Sequence, residues 1–386
     1  MALAATIIGL AILAVILWDV FETIILPRRV TRRFRFVRLF YRSTWIPWSR
    51  VARGIRAGSR RESFLSYFGP LSLLGLFVVW AVGLVFAFAF LHFGAGSSIN
   101  SPIAPMGHPG FLTDLYLSGT TFFTLGLGDV TPRTELARFI TVIESGLGLG
   151  FLAMVISYLP VLYGAFSRRE VNISLLDARA GSPPTASELL QRHTQLQSVA
   201  ALEQYLRDWE TWAAELMESH MSYPVLCYFR SQHNNQSWLA ALTTILDVSA
   251  LLIAYGKGAL RWQAKLTFAI SRHAVVDLAQ VLNCPPKRTD GERLPAGELR
   301  KLHTLLIGAN LSECCAEDRE EDEQRLGDLR RMYEPYVAAL SDRLLMPVGA
   351  WTPAKHIVDN WRTSAWARIS TDIETPFAEA EEKEHF

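Results

Sequence analysis

Residues 124–129 read Thr124-Leu125-Gly126-Leu127-Gly128-Asp129, and they follow an apolar run at 111–123. That run is too short to cross a bilayer, because a spanning helix needs about 20 apolar residues. A helix that enters halfway and a strand that returns would fit this length. Non-helical backbone at membrane depth is tolerated only where protein buries it or where it lines a water-filled path. The stretch therefore predicts a re-entrant helix and a returning loop in a membrane-embedded fold.

The two glycines of this loop alternate with two leucines. Glycine adopts positive φ without steric cost, so we expect alternate residues to take opposite-handed conformations that point every carbonyl at one axis. Leu125 and Leu127 should then point away from that axis and pack against the re-entrant helix. The carbonyls of 124–127, with the Thr124 hydroxyl, can replace the hydration shell of a monovalent cation. Asp129 should lie at the outer mouth, where its charge would concentrate cations.

Three longer apolar segments surround this loop, at 2–27, 64–93 and 139–166. Each is long enough to cross a bilayer as a helix. The first carries Asp19 and Glu22 near its end and lacks a basic start, which favours an uncleaved anchor over a cleaved secretory signal. The fold class we expect is all-α: a membrane pore module of three transmembrane helices plus a re-entrant pore helix and filter, with an α-helical cytoplasmic domain.

The arginines predict the orientation of these spans. Twelve arginines lie between Arg28 and Arg61, whereas the segment 94–133 has a single basic residue, Arg133, apart from histidine. The positive-inside rule therefore places the N-terminus outside and the C-terminal half in the cytoplasm of a multi-pass cell-membrane protein. Four of these arginines, spaced three or four apart, fit a basic amphipathic helix on the inner membrane surface; the alternative is a topology signal alone. They are Arg32, Arg35, Arg38 and Arg42.

Composition agrees with a membrane part joined to a soluble part. Half of the 386 residues are hydrophobic and 19% are charged, with a net charge of +1. Residues 1–166 hold 14 Lys and Arg against 7 Asp and Glu, whereas 167–386 hold 24 against 30. Nucleic acid is therefore not an expected partner of either half. The predicted segments are 1–27, the N-terminal helix; 28–63, an arginine-rich linker; 64–169, the pore module; 170–371, the helical cytoplasmic domain; and 372–386, an acidic tail.

The filter sequence, with Pro132 three residues further on, resembles the signature of the potassium-channel superfamily, whose commonest form is T-V-G-Y-G-D. More narrowly, residues 68–167 resemble the two-transmembrane pore module of bacterial ion channels, here with an extra N-terminal span. The resemblance implies a potassium-selective channel. The implied K+ ligands are the backbone carbonyls of Thr124, Leu125, Gly126 and Leu127. Each chain has one such segment, so a closed ring of carbonyls predicts a homotetramer.

Two departures from the family pattern leave alternatives open. Leu127 stands where the family usually has Tyr or Phe, and Phe122 and Phe123 replace smaller residues. A nonselective monovalent cation channel is therefore a second hypothesis. A third is a non-conducting membrane-anchored signalling or scaffold protein, although the intact Thr124 and both filter glycines speak against it.

The third span carries the candidate gating residues. Gly148 is the expected hinge by resemblance, with Gly150 in the same glycine-rich turn; close helix packing is the alternative reading. Pro160 should kink the helix near its cytoplasmic end. Glu144 is a charge within the span and should find a partner or water. It either faces the pore helix near Thr120 or Thr121, or faces the cavity and adds to the field for cations.

The C-terminal half has a helical, soluble pattern. A capping box at 185–188 should open a helix, and further helices are expected at 262–282, 296–315, 317–345 and 356–367. Asp247 lies at the centre of the apolar run 239–255, which favours a buried core helix over a fourth span.

No nucleotide-binding or catalytic motif is found, so we expect a non-enzyme with no cofactor and with a regulatory ligand that the sequence does not identify. The four cysteines, Cys227, Cys284, Cys314 and Cys315, lack metal-ligand spacing and are expected to be buried or idle thiols.

Overall fold

The computed structural model describes residues 1–26, 35–96, 99–100, 110–195, 199–232, 235–287, 292–308, 311 and 319–352. The fold is all-α, as predicted. The strands among these residues are β1 (Ile99–Asn100) and β2 (Thr131–Pro132), which pair antiparallel. The predictions for 353–386 (the helix at 356–367 and the acidic tail), for 27–34, and for Cys314 and Cys315 lie outside the described residues. The chain divides into two compact units, Met1–Gly164 and Ala165–Phe386.

The first unit contains the membrane helices and the short helices between them. They are α1 (Ala2–Val20), which continues as a π-helical turn (Phe21–Ile25), α2 (Phe36–Gly54), α3 (Ser59–Ser66), α4 (Phe68–Gly94), α5 (Phe111–Phe122) and the start of α6 (Glu135–Ala180). The three predicted spans correspond to the apolar helices Ala2–Ile25, Ser59–Gly94 and Glu135–Ala180. The prediction ended the third span at 166, but α6 runs on to Ala180 as one helix with Pro160 inside it.

Helices α1 and α4 pack closely along their length because small residues line the contact. A β-carbon on Gly9 would lie 2.7 Å from the carbonyl oxygen of Ala87, and one on Gly83 would overlap the side chain of Ile16. Small residues let helix backbones approach each other in lipid, where van der Waals packing rather than water exclusion drives association. The first span is therefore packed onto the second over most of its length.

The second unit is a helical bundle built around α9. Its helices after α6 are α7 (Ala186–Gln195), α8 (Val199–Ser222), a 3-10 turn (Pro224–Tyr228), α9 (Trp238–Tyr255), α10 (Gly258–Val281), α11 (Ala296–Gly308) and α12 (Arg319–Leu344). The expected helix at 262–282 thus begins earlier, at Gly258, and the one at 296–315 is helical over Ala296–Gly308, with 309–310 and 312–315 outside the described residues. The hydroxyl of Thr185 accepts a hydrogen bond from the amide of Glu188, which is half of the predicted capping box.

Helix α9 is apolar and long enough to cross a membrane, but every one of its residues is buried inside the bundle. The carboxylate of Asp247 accepts hydrogen bonds from Arg293, at 2.8 Å, and from the hydroxyl of Tyr333. Burial opposes a charge on Arg293, but the negative charge of Asp247 raises the pKa of the guanidinium above its usual value. A helix enclosed on all sides, with a paired acid at its centre, is a core helix, as the sequence predicted.

Within this unit the first turns of α6 beyond Gly164 hold a buried cation. Arg169 donates hydrogen bonds to the carbonyls of Leu226, at 3.0 Å, and Phe229, at 3.1 Å, and pairs with Glu170 at 2.8 Å. Its Nη1 lies 3.0 Å from Nε2 of His220, which is fully buried. These partners provide the hydrogen bonds that water would make to an exposed guanidinium.

Candidate ion-conduction site

The loop after the pore helix α5 has the alternating backbone that its sequence predicted. Thr124, Gly126 and Gly128 have φ values of 57°, 54° and 78°, and neither Leu125 nor Leu127 has a positive φ. Positive φ is sterically unfavourable for a residue with a β-carbon, so the conformation of Thr124 is held by its surroundings.

Hydrogen bonds to the end of α5 hold this conformation in place. The amide of Thr124 donates to the carbonyl of Thr121 at 3.0 Å, and the amide of Leu125 donates to the carbonyl of Thr120 at 2.8 Å. The amide of Gly126 points at the same Thr120 oxygen, at 3.5 Å. In a trans peptide the carbonyl points opposite to the N–H. The carbonyls of Thr124 and Leu125 are therefore directed away from the end of the pore helix, as a cation-lining loop requires.

Asp129 is fastened to the pore helix from the side. The hydroxyl of Tyr116 donates a hydrogen bond of 2.9 Å to Oδ2 of Asp129, and the amide of Val130 donates to Oδ1 at 3.0 Å. Asp129 itself stays exposed. The carboxylate is thus fixed at the end of the loop and in contact with solvent.

The expected packing of the two loop leucines is wrong for a single chain. Leu125 and Leu127 are 62% and 63% exposed, and Phe123 beside them is 59% exposed. The amide of Leu125 is bonded to the end of α5, but the two leucine side chains keep most of their surface uncovered by this chain. Three large apolar side chains on one short loop form an apolar patch that water would disfavour.

Glu144 lies in a buried polar cluster behind the loop. It is 0% exposed, and its carboxylate accepts a hydrogen bond from Ser118 of the pore helix. The other carboxylate oxygen lies 3.3 Å from Nε2 of His92 on α4, and the hydroxyl oxygen of Ser118 also lies 2.7 Å from the carbonyl oxygen of Val85. This geometry agrees with the reading in which Glu144 faces the pore helix. The residue that it contacts there is Ser118 and not Thr120 or Thr121.

Gly148 meets the pore helix where α5 ends. A β-carbon there would overlap the carbonyl oxygen of Phe122, whereas one on Gly146 or Gly150 would meet no atom within 4 Å. Close packing is thus an observed role of Gly148. Gly148, Gly150 and Pro160 all lie within the uninterrupted helix α6.

The sequence did not identify Tyr116, Ser118 or His92 as parts of this site. The sequence does contain a feature that could have identified His92, because it is the sole histidine in the apolar second span. No feature of the sequence distinguishes Tyr116 and Ser118, since hydroxyl side chains are common on half-buried helices and the tertiary fold determines their partners. Among the described residues no group of His, Cys, Asp and Glu side chains is arranged to hold a metal ion.

Comparison with known proteins assigns this unit to a class. Residues 76–162, from within α4 to within α6, match the ion channel family. This stretch is therefore similar to an ion channel domain, and the apolar helices around it are long enough to cross a membrane. An uncharacterized membrane protein, YdjJ of Bacillus subtilis (strain 168), is 23% identical over 193 residues, which are 50% of this chain and 55% of YdjJ. The alignment therefore spans about half the length of that relative. No solved structure matches the chain significantly.

Proposed function

We propose that the chain is the subunit of a homotetrameric, potassium-selective channel that conducts through residues 124–129. The observation that carries the proposal is the loop backbone: φ alternates in sign from Thr124 to Gly128, and the amides of Leu125 and Gly126 are turned to the pore helix. Carbonyls turned the other way can coordinate a dehydrated monovalent cation. The permeant K+ is then a transported ion, bound by the carbonyls of Thr124, Leu125, Gly126 and Leu127.

Four copies are proposed because one loop cannot enclose an ion. A ring of carbonyls closes only with cyclic symmetry, and the matched family supports an ion channel. The exposed Leu125 and Leu127 support the same assembly, since in a ring they would pack against the neighbouring subunit. Burial of such side chains contributes about 1.5–3 kcal/mol each.

For topology we propose an N-terminus outside, a cytoplasmic linker at 28–63 and a cytoplasmic helical domain at 170–371, because the arginines are concentrated between the first two spans. For gating we propose bending of α6 near Gly148 and Gly150, with Pro160 weakening the helix further on. Pro160 removes one helix hydrogen bond, and a glycine costs the helix about 1 kcal/mol relative to alanine.

Single-channel recording of the purified full chain in planar bilayers under a K+/Na+ gradient tests the proposal. A reversal potential near the K+ equilibrium value is the expected result. A value near zero would show a nonselective channel, and an absence of current from a correctly folded protein would favour the scaffold alternative. Native mass spectrometry of the same sample should give a mass of four chains.

A matched pair of variants ties the current to the loop. Gly126→Ala places a β-carbon at φ 54°, so it should reduce current or selectivity. Gly146→Ala, in open space on α6, should leave both unchanged. Equal behaviour of the two variants would contradict conduction through this loop.

A further inference from the structure

The start of α2 is held by a carboxylate from the first span. Asp19, 4% exposed, accepts hydrogen bonds from the amide of Val37, at 3.3 Å, and from the indole of Trp80 on α4, at 3.0 Å. Arg35, the residue before α2, offers no side-chain cap to its first turn. Asp19 therefore supplies the cap from another helix, and a negative charge on it interacts favourably with the positive end of the α2 dipole.

A second carboxylate of the first span holds the same junction. Glu22 accepts a 2.6 Å hydrogen bond from the indole of Trp18, and its other oxygen lies 3.7 Å from Nε of Arg35. Both acids of the first span thus have partners next to the N-terminus of α2. These contacts explain why two acidic residues, which are costly in lipid, stand at the end of an apolar helix.

One face of α2 is fixed against the beginning of the second span. The ring of Trp45 meets Phe68 edge-on at 4.7 Å, and that of Trp48 stacks on Phe64 at 4.5 Å. Tyr41, Trp45, Ser49 and Ala52 are the buried residues of α2. Because Phe68 begins α4, the helix lies at the end of a membrane span, where the apolar segment meets the polar linker.

The exposed surface of α2 carries three arginines, Arg38, Arg42 and Arg50. Residues 36–54 contain four arginines and no Asp or Glu. Arg38, Arg42 and Arg50 are exposed, and none of the carboxylates that the structure describes pairs with them. Leu39 and Val51 beside them are 64% and 58% exposed. A surface helix with arginines and exposed aliphatic side chains, fixed at the end of a span, matches an anionic lipid surface in charge and polarity.

We propose that α2 is a lipid-binding element whose arginines Arg38, Arg42 and Arg50 bind the phosphate groups of anionic phospholipids, with Leu39 and Val51 entering the headgroup boundary. The inner leaflet as the location rests on the proposed topology; the binding itself does not. The rigid attachment through Asp19 and Trp45 keeps the arginines in position, so lipid binding requires little reordering of the helix.

The test compares binding of phosphatidylglycerol and phosphatidylcholine to the purified full chain in detergent, by native mass spectrometry and by the thermal midpoint of unfolding. The wild-type chain should prefer phosphatidylglycerol, and salt should weaken that preference. The variant R38Q/R42Q/R50Q should bind phosphatidylglycerol roughly a hundredfold more weakly, at about fivefold per basic residue. The variant R38K/R42K/R50K should retain most of the binding, since lipid attraction depends on charge.

A control removes the same charge from the cytoplasmic bundle, as R207Q/R300Q/R331Q, at three exposed positions. It should bind phosphatidylglycerol like the wild type. If both triple Gln variants lost phosphatidylglycerol binding equally, the effect would depend only on the net charge of the protein, and the proposal would be overturned. So would equal binding of the two lipids to the wild type, or equal stabilisation by inorganic phosphate. None of these readouts needs ion current, so the lipid site and the channel proposal fail independently.

Discussion

The phenolic hydroxyl of Tyr116 on the pore helix donates a 2.9 Å hydrogen bond to the carboxylate of Asp129, directly after the last glycine of the filter loop. This bond joins two residues 13 apart in sequence and fixes the outer end of the loop to the helix that supports its inner end. The bond therefore bridges the stretch of loop that contains Leu127.

We predict that Tyr116→Phe loosens the loop. The substitution removes the hydrogen bond that ties the Asp129 carboxylate to α5. The K+/Na+ permeability ratio should fall, and bilayer recordings under a K+/Na+ gradient measure it. Tyr67→Phe removes a hydroxyl from an exposed residue at the start of α4 and should have no effect. Identical reversal potentials in the two variants would show that the Tyr116 bond is dispensable.

Gly148→Ala should destabilise the pore module. The added methyl group would overlap the carbonyl of Phe122, and overpacking of this kind costs about 1–3 kcal/mol. Gly146→Ala has open space and a better helix former, so it should stabilise by up to about 1 kcal/mol. Thermal unfolding of the two purified variants measures the difference. Equal midpoints would mean that α6 can shift away from α5 without loss.

Two substitutions of Glu144 distinguish a role in stability from a role in conduction. Glu144→Gln keeps an oxygen for the Ser118 hydroxyl and should leave single-channel K+ conductance unchanged. Glu144→Ala leaves buried polar groups of Ser118 and His92 without this partner, at a cost of about 1–3 kcal/mol. Recordings and unfolding curves on both variants check this. A drop in conductance in a stably folded Gln variant would instead support a direct effect of the Glu144 charge on the permeant ion.

The helical bundle of the second unit should lose stability in mild acid through His220. Burial and then the charge of Arg169 lower the pKa of this histidine well below its usual 6.5. The folded state therefore favours the neutral ring. That stabilisation is complete above pH about 6.5 and is lost as the pH falls below it, by at most about 1.4 kcal/mol per pH unit.

Unfolding of the full chain across this pH range, followed for wild type and His220→Gln, measures the His220 contribution. The variant should be less sensitive to acid than the wild type. His273→Gln, at an exposed position of α10, is the control and should keep the wild-type pH dependence. If all three proteins lost stability in parallel, the acid sensitivity would arise from other groups.

Local features of this protein were predictable from its sequence. Span lengths follow from apolar runs, and the alternating φ of the filter loop follows from the spacing of Gly126 and Gly128. The burial of α9 followed from Asp247 at the centre of an apolar run. Each of these predictions depends on residues close together in the chain.

The contacts that complete the site were not predictable, because tertiary packing selects them. His92 and Glu144 are 52 residues apart, and Asp19 and Trp80 are 61 apart. The length of α6 was also missed, since the arginines after 166 ended the apolar run but not the helix. The leucines of the filter loop show a different error: the local pattern predicted that they pack against the pore helix, but Leu125 and Leu127 are largely exposed in a single chain.

The cap on α2 also bears on how the chain is made. Asp19 is synthesised 18 residues before Val37 and 61 residues before Trp80, its two hydrogen-bond donors. A nascent chain that ends before Val37 offers the Asp19 carboxylate neither donor, and one that ends before Trp80 offers only the first. Both hydrogen bonds of Asp19 are therefore complete only after the second span has been synthesised, so the end of the first span is held by residues that follow it in the chain.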